Sequence, residues 1–250
     1  MIRALVVEVV KLKRASLPLW SVITVVLAPA MSNIFAYAQD SGGSRLSWPA
    51  FFELGSMTMG TWWGILLFGL ITAFVFGREY AEGVSPSMLT APMRREYFVI
   101  AKFVVLAVWV VALALLSLVA QGFAATVLGL DGFAWSEVWP VVGDVLTVAL
   151  LILLTQPLIA FVAVASRGVF APMILSAAGF LAGMLGGIAG WGDWLPWAMP
   201  TLVGGTFLGS VIPVEAELTA GSWAISGALC LAGVVATMLW VNRADSKVSA

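Results

Sequence analysis

The longest apolar runs, Phe103 to Leu118 and Val145 to Val164, contain no charged residue. At about 1.5 Å of rise per residue, a helix of about 20 residues crosses a hydrocarbon core of about 30 Å. Neither run alternates between apolar and polar positions as a barrel strand would. In lipid, a backbone without water partners must bond to itself, and a helix does this within one segment. A hydrophobic fraction of 62% against 10% charged residues leaves more apolar surface than a soluble fold can hide. The sequence therefore predicts an all-α integral membrane protein.

Six segments read as transmembrane helices: Leu17 to Tyr37, Met57 to Phe76, Phe98 to Val119, Pro140 to Ala165, Val169 to Ala189 and Trp223 to Val241. Basic residues set their orientation. With the N-terminus inside, Arg3, Lys11, Lys13, Arg14, Arg78, Arg94, Arg95, Lys102, Arg167, Arg243 and Lys247 fall at or near the cytoplasmic side. Of the 12 Lys and Arg residues, only Arg45 falls outside. Trp48, Trp62, Trp135, Trp139, Trp191, Trp194, Trp197 and Trp223 collect at the opposite boundary, where an indole rests at head-group level. An even number of spans puts both termini in the cytoplasm. Ala36-Tyr37-Ala38 imitates a small-residue cleavage site, but the preceding segment is too long for a signal peptide and contains Pro18 and Pro29.

Residues 1–16 read as an interfacial amphipathic helix. At 100° per residue, Ile2, Leu5, Val9 and Leu12 share one face, and Arg3, Glu8, Lys11 and Arg14 the other. Such a helix lies on the inner leaflet with its cations near lipid head groups. The segment 190–222 is apolar, yet Pro196, Pro200, Pro213 and Gly204-Gly205 interrupt it. Short outer or re-entrant helices are expected there, before the last span.

Several chemistries drop out on composition. The chain has no histidine, which removes Ser-His hydrolysis, His-ligated metals and imidazole-bound haem. Its single cysteine, Cys230, cannot form an internal disulfide or a multi-thiolate site. No Gly-x4-Gly-Lys-Ser/Thr loop occurs, so any ATP hydrolysis belongs to a partner. Neither a cofactor nor a nucleic-acid partner is indicated, and lipid is the one partner that composition requires.

The connection between the second and third spans, residues 78–96, has its own local logic. Gly83 allows a sharp change of direction, Ser85-Pro86 is an N-cap and first-turn signal, and Pro92 ends a short helix. Met88 and Leu89 then stand beside charged groups. Read from the residues alone, this is either a lipid-binding, positive-inside turn or a docking surface.

This connection resembles that of the ABC-2-type membrane subunits of ATP-binding-cassette transporters, especially small permeases near the bacitracin and lantibiotic-immunity exporters. In that family an acidic residue precedes Gly-Thr, Leu-Leu, Pro, Ser-Arg and a lysine at the third span. Here Glu82, Gly83, Met88-Leu89, Pro92, Arg95 and Ala101-Lys102 fall at matching spacing. Val84, Met88 and Arg94 depart from it, replacing Thr, Leu and Ser, and Pro86 changes the helix start. The resemblance extends more loosely to the whole chain, through the interfacial helix of residues 1–16, a six-span transmembrane domain over residues 17–250 and the Pro- and Trp-rich segment before its last span. It implies a permease in a bacterial cytoplasmic membrane, with Glu82, Gly83, Met88, Leu89, Pro92, Arg94 and Arg95 forming a coupling helix. It also implies a separate ATPase subunit that carries ATP and Mg, a second permease copy or a similar one, and export of a hydrophobic or amphipathic substrate.

Three further features carry candidate roles. Gly179, Gly183 and Gly187 recur at four-residue spacing, so a helix of this chain or of a second subunit can approach closely. Asp144 and Gln156 are polar positions within the fourth span, suited either to a translocation route or to local bonding. Gly190-Trp191-Gly192-Asp193 matches the Gly-x-Gly-Asp of intramembrane aspartyl proteases. That chemistry needs a second carboxylate, for which Asp144 is the sole and poor candidate. A membrane scaffold or sensor without transport is the remaining class.

Overall fold

The computed structural model describes residues 2–39, 47–81, 95–203, 206–207, 212–213 and 218–243. Its elements are α1 (Ile2–Arg14), α2 (Leu17–Gln39), α3 (Trp48–Thr58), a π-helical turn (Met59–Trp63), α4 (Gly64–Ala81), α5 (Arg95–Val127), α6 (Trp135–Ala165), α7 (Phe170–Ile188), α8 (Met199–Leu202), β1 (Thr206–Phe207), β2 (Ile212–Pro213) and α9 (Ala220–Arg243). Helix dominates, as the apolar runs require.

Among the described residues, α5, α6, α7 and α9 are long and apolar enough to cross a membrane. A fifth crossing arises if α1 and α2, bent by 69° at their junction, count as one broken span. This is a multi-pass membrane protein.

The second predicted span, Met57 to Phe76, is not one regular helix. It begins within α3, passes through the π-helical turn and continues as α4. The π-turn lodges against the α8 segment, where a Cβ on Gly60 would strike the Pro200 carbonyl. Hydropathy cannot register a change of hydrogen-bond period, so this break has no signature in the apolar run.

Helix α6 is the hub, packing against α3, α4, α5, α7, α8 and α9. It is apolar on all sides, as a helix surrounded by others should be. Phe51, Phe68, Phe76, Leu106, Leu113 and Ile152 lie within the buried core. At the heart of the bundle Thr72 Oγ1 donates to Gln156 Oε1 at 2.7 Å, tying α4 to α6. Close approach of α9 comes at Gly233, whose α-carbon faces Pro157 and the Leu158 nitrogen.

In the segment after α7, the described residues form one short helix, α8, and the strands β1 and β2, which pair antiparallel with Thr206 opposite Pro213 and Phe207 opposite Ile212.

Opposite ends of the bundle differ in chemistry. At one end Asn242 Nδ2 lies 3.4 Å from Glu96 Oε1, Tyr80 lies within electrostatic reach of Arg167, and Lys11 meets Glu79. At the other, Trp48 donates its indole N–H to Leu130 O at 2.8 Å and its backbone N–H to Asp131 O at 3.2 Å. Trp48, Phe133, Trp135 and Trp139 form a run of ring contacts there. The paired charges thus gather at one end and Trp48, Trp135 and Trp139 at the other.

Candidate functional site

The site begins with three helix ends that need one another. Helix α4 carries Glu79 in its last turn, where a carboxylate opposes the negative end of the helix dipole. Helix α5 enters the bundle with Lys102 inside an apolar run, and α1 brings Glu8 and Lys11 one turn apart. Each charge alone would be costly to bury; together they neutralise one another.

Lys11 Nζ lies 2.9 Å from Glu8 Oε1 and 2.7 Å from Glu79 Oε1. Lys102 Nζ lies 3.0 Å from Glu79 Oε2 and 3.8 Å from Glu8 Oε2, and it donates to Val75 O at 2.7 Å. Two carboxylates and two ammonium groups therefore form a closed ring across α1, α4 and α5. Glu8 is 5% exposed and Lys102 6%, so that side of the ring is shielded from solvent screening, while the Lys11 side chain stays 37% exposed. Phe76 caps it from the apolar side, its ring centroid 5.6 Å from Lys102 Nζ.

The ring shifts the protonation of its members that lie outside the membrane-spanning segments. Burial pushes the Glu79 carboxyl upward, but the Lys102 charge and the Lys11 hydrogen bond outweigh it, and the net direction is downward. Burial would lower Lys11, yet its bonds to Glu79 and Glu8 leave it raised. At neutral pH both groups are held in their charged forms. The Tyr80 hydroxyl is raised, by burial first and by Glu79 second.

Of the residues singled out in the sequence, Glu82, Gly83, Met88, Leu89, Pro92 and Arg94 lie outside the described residues, and Arg95 opens α5. The ring joins the two helices that bracket this connection, through Glu79 in the last turn of α4 and Lys102 about two turns into α5. Sequence reasoning placed Glu8 and Lys11 on the outward polar face of α1. The structure turns Glu8 and Ala4 inward and leaves Ile2 79% and Val6 57% exposed. A signal existed, since a lysine inside the apolar run at 102 demands a carboxylate partner. Nothing in the sequence said that Glu8 would share that role with Glu79.

The other candidates are placed elsewhere. Gly179 and Gly183 face the Trp197–Ala198 segment of the same chain: a Cβ on Gly179 would come within 2.5 Å of Trp197 Nε1, and one on Gly183 would strike the Trp197 carbonyl. Gly187 is buried on the same helix. Gln156 is 1% exposed; its amide donates to Ile152 O at 3.0 Å while its carbonyl accepts from Thr72. Asp144 is half-buried near the tryptophan-rich end, about 18 Å along α6 from Gln156 at helical rise. Asp193 lies in the turn between α7 and α8.

The chain is thus a multi-pass membrane protein with a neutralised ring of charges joining α1, α4 and α5. Residues 4–183 match the family described as ABC-2 family transporter protein, so the chain belongs to that family. Over 47 residues it is 40% identical to the bacitracin transport permease protein BCRB of Bacillus licheniformis. That match covers 19% of this chain and 23% of the relative, so the shared part spans under a quarter of the relative's length.

Proposed function

We propose that this chain is the permease subunit of an ATP-driven exporter in a bacterial cytoplasmic membrane, powered by a separate ATPase that binds ATP and Mg. The observation that carries the reading is the Glu8–Lys11–Glu79–Lys102 ring at the root of the 82–94 connection. A force applied to that connection reaches α4, α5 and α1 together, because a ring of buried charges resists being opened one pair at a time. Glu82, Met88, Leu89, Arg94 and Arg95 are the surface that receives the ATPase, with apolar anchors inside a charged rim.

The six-span topology with both termini inside belongs to this reading: α2, the α3–α4 run, α5, α6, α7 and α9 each pass between the cationic and tryptophan-rich ends. Helix α1 rests in the inner interface, its exposed Ile2 and Val6 toward lipid. A second permease, identical or similar, completes the translocation path. The cargo is hydrophobic or amphipathic, an antimicrobial peptide, drug or lipid-like molecule; the resemblance to a bacitracin transport permease favours the peptide.

The test is co-purification in mild detergent with an ATPase containing a phosphate-binding loop. Wild-type chain should retain it, and Leu89→Asp or Glu82→Arg should release it while the permease stays in the membrane. Failure of any such ATPase to co-purify with wild type would refute the proposal.

A further inference from the structure

Beside the charge ring lies a cavity of about 230 Å³ between α1, α4 and α5. Its walls divide by chemistry. Leu12, Ala15, Phe74 and Val105 supply apolar surface, while Lys11, Arg14 and Arg78 supply cations against the carboxylates of Glu8 and Glu79. Both carboxylates already bind lysines in the ring, Lys11 on the cavity side and Lys102 beyond it. Arg78 lies over Phe74, its guanidinium carbon 5.2 Å from the ring centroid, and Arg14 is exposed at the end of α1.

Water can satisfy the charged wall of such a space but not the apolar one, because Leu12, Phe74 and Val105 offer it no polar partner. Free cargo would meet a cationic rim, unsuited to a cationic peptide. What satisfies both halves is a molecule with an anionic head and an apolar tail. The setting provides one, because the cavity lies at the cationic end of a membrane protein, against a helix whose Val9 and Val10 are exposed.

We propose that this cavity binds the phosphodiester head group of a single anionic phospholipid, with Arg14 at the phosphate and the first chain carbons along Leu12, Ala15 and Phe74. The bound lipid wedges between α1 and α4 on the far side of the ring from Lys102, and so fixes the angle at which α1 leaves α2. The inference rests on the membrane setting and not on transport, so it stands or falls separately from the ATPase reading.

Native mass spectrometry of the purified full chain decides it, with added phosphatidylglycerol or phosphatidylcholine of the same chain length. Wild type should retain phosphatidylglycerol at least fivefold over phosphatidylcholine. Arg14→Gln should lower that retention about fivefold, equivalent to roughly 1 kcal/mol for one basic residue at an anionic head group. Lys13→Gln, an exposed cation one residue away and outside the cavity, should leave it unchanged. Ala15→Leu, which fills the cavity without touching a charge, should also reduce it and guards against misfolding of the arginine variant. Equal retention of both lipids, or equal losses in Arg14→Gln and Lys13→Gln, would overturn the proposal. So would displacement of the lipid by millimolar inorganic phosphate, which would mark a site for a free anion.

Discussion

Glu79 Oε2 and Lys102 Nζ stand 3.0 Å apart across the two helices that bracket residues 82–94. Lys102 is nearly fully buried, so its removal leaves Glu79 and Glu8 sharing Lys11 alone. Lys102→Met should cost about 3–5 kcal/mol of stability, the usual penalty for orphaning a buried charge. Lys102→Glu should be worse, because it leaves three carboxylates around Lys11. Glu79→Gln added to Lys102→Met should recover part of the Lys102→Met loss by removing one of the two carboxylates left to share Lys11. Unfolding in mixed micelles measures all three. A double variant no better than Lys102→Met would mean that the contact does not hold the helices.

The same ring sets a pH window. The Glu79 carboxyl is depressed below its ordinary 4.5, so its contribution is complete above that value and lost as pH falls through the depressed pKa. Lys11 is raised above its ordinary 10.5, so its contribution is complete below that value and lost as pH rises through the raised pKa. Melting temperature should therefore be flat between the two ordinary values and fall on either side. Glu79→Gln should flatten the acid limb, and Lys11→Met the alkaline one. An acid limb of unchanged steepness in Glu79→Gln would assign it to other carboxylates.

Gly183→Ala tests the seat of the outer segment. The new Cβ meets the backbone carbonyl of Trp197, which cannot rotate away, so destabilisation of about 1–3 kcal/mol is expected. Gly143→Ala on the exposed face of α6 meets nothing within 4 Å and should be neutral or slightly stabilising, by less than about 1 kcal/mol. Tryptophan fluorescence should change in the first variant and not in the second.

Thr72 and Gln156 offer a double-mutant cycle in the apolar centre. Thr72→Val removes the donor to the Gln156 carbonyl, and Gln156→Leu removes the acceptor. Their coupling should be about 0.6–1.7 kcal/mol, the range for side-chain hydrogen bonds between membrane helices. Additive losses would show that the bond, although present, does not stabilise the α4–α6 contact.

Much of the helical fold was legible, because α5, α6, α7 and α9 grow from apolar runs that lipid permits in only one conformation. The ends of α5, α6 and α9 ran longer than hydropathy suggested, while α7 matched to within one residue at each end: Arg95 and Glu96 extend α5 beyond the apolar stretch, as the favourable acid in its first turn allows. The π-turn at Met59–Trp63 was not legible, since it arises from packing against Pro200 and not from composition. The charge ring was half-legible. Lys102 announced a need for a partner, but Lys11 and Glu79 are 68 residues apart and only the fold brings them together. The glycine repeat predicted close approach, yet spacing alone could not say that a tryptophan-bearing turn, rather than a long helix, would fill it.

The bend of 69° between α1 and α2 has a consequence for biogenesis. Glu8 and Lys11 leave the ribosome before Glu79 and Lys102 exist, so α1 cannot take its final seat when it is made. Its charges find their partners only once α4 and α5 are present to neutralise them. The first helix synthesised is thus among the last to be locked, and docking of α1 reports that the helices around the connection have found their places.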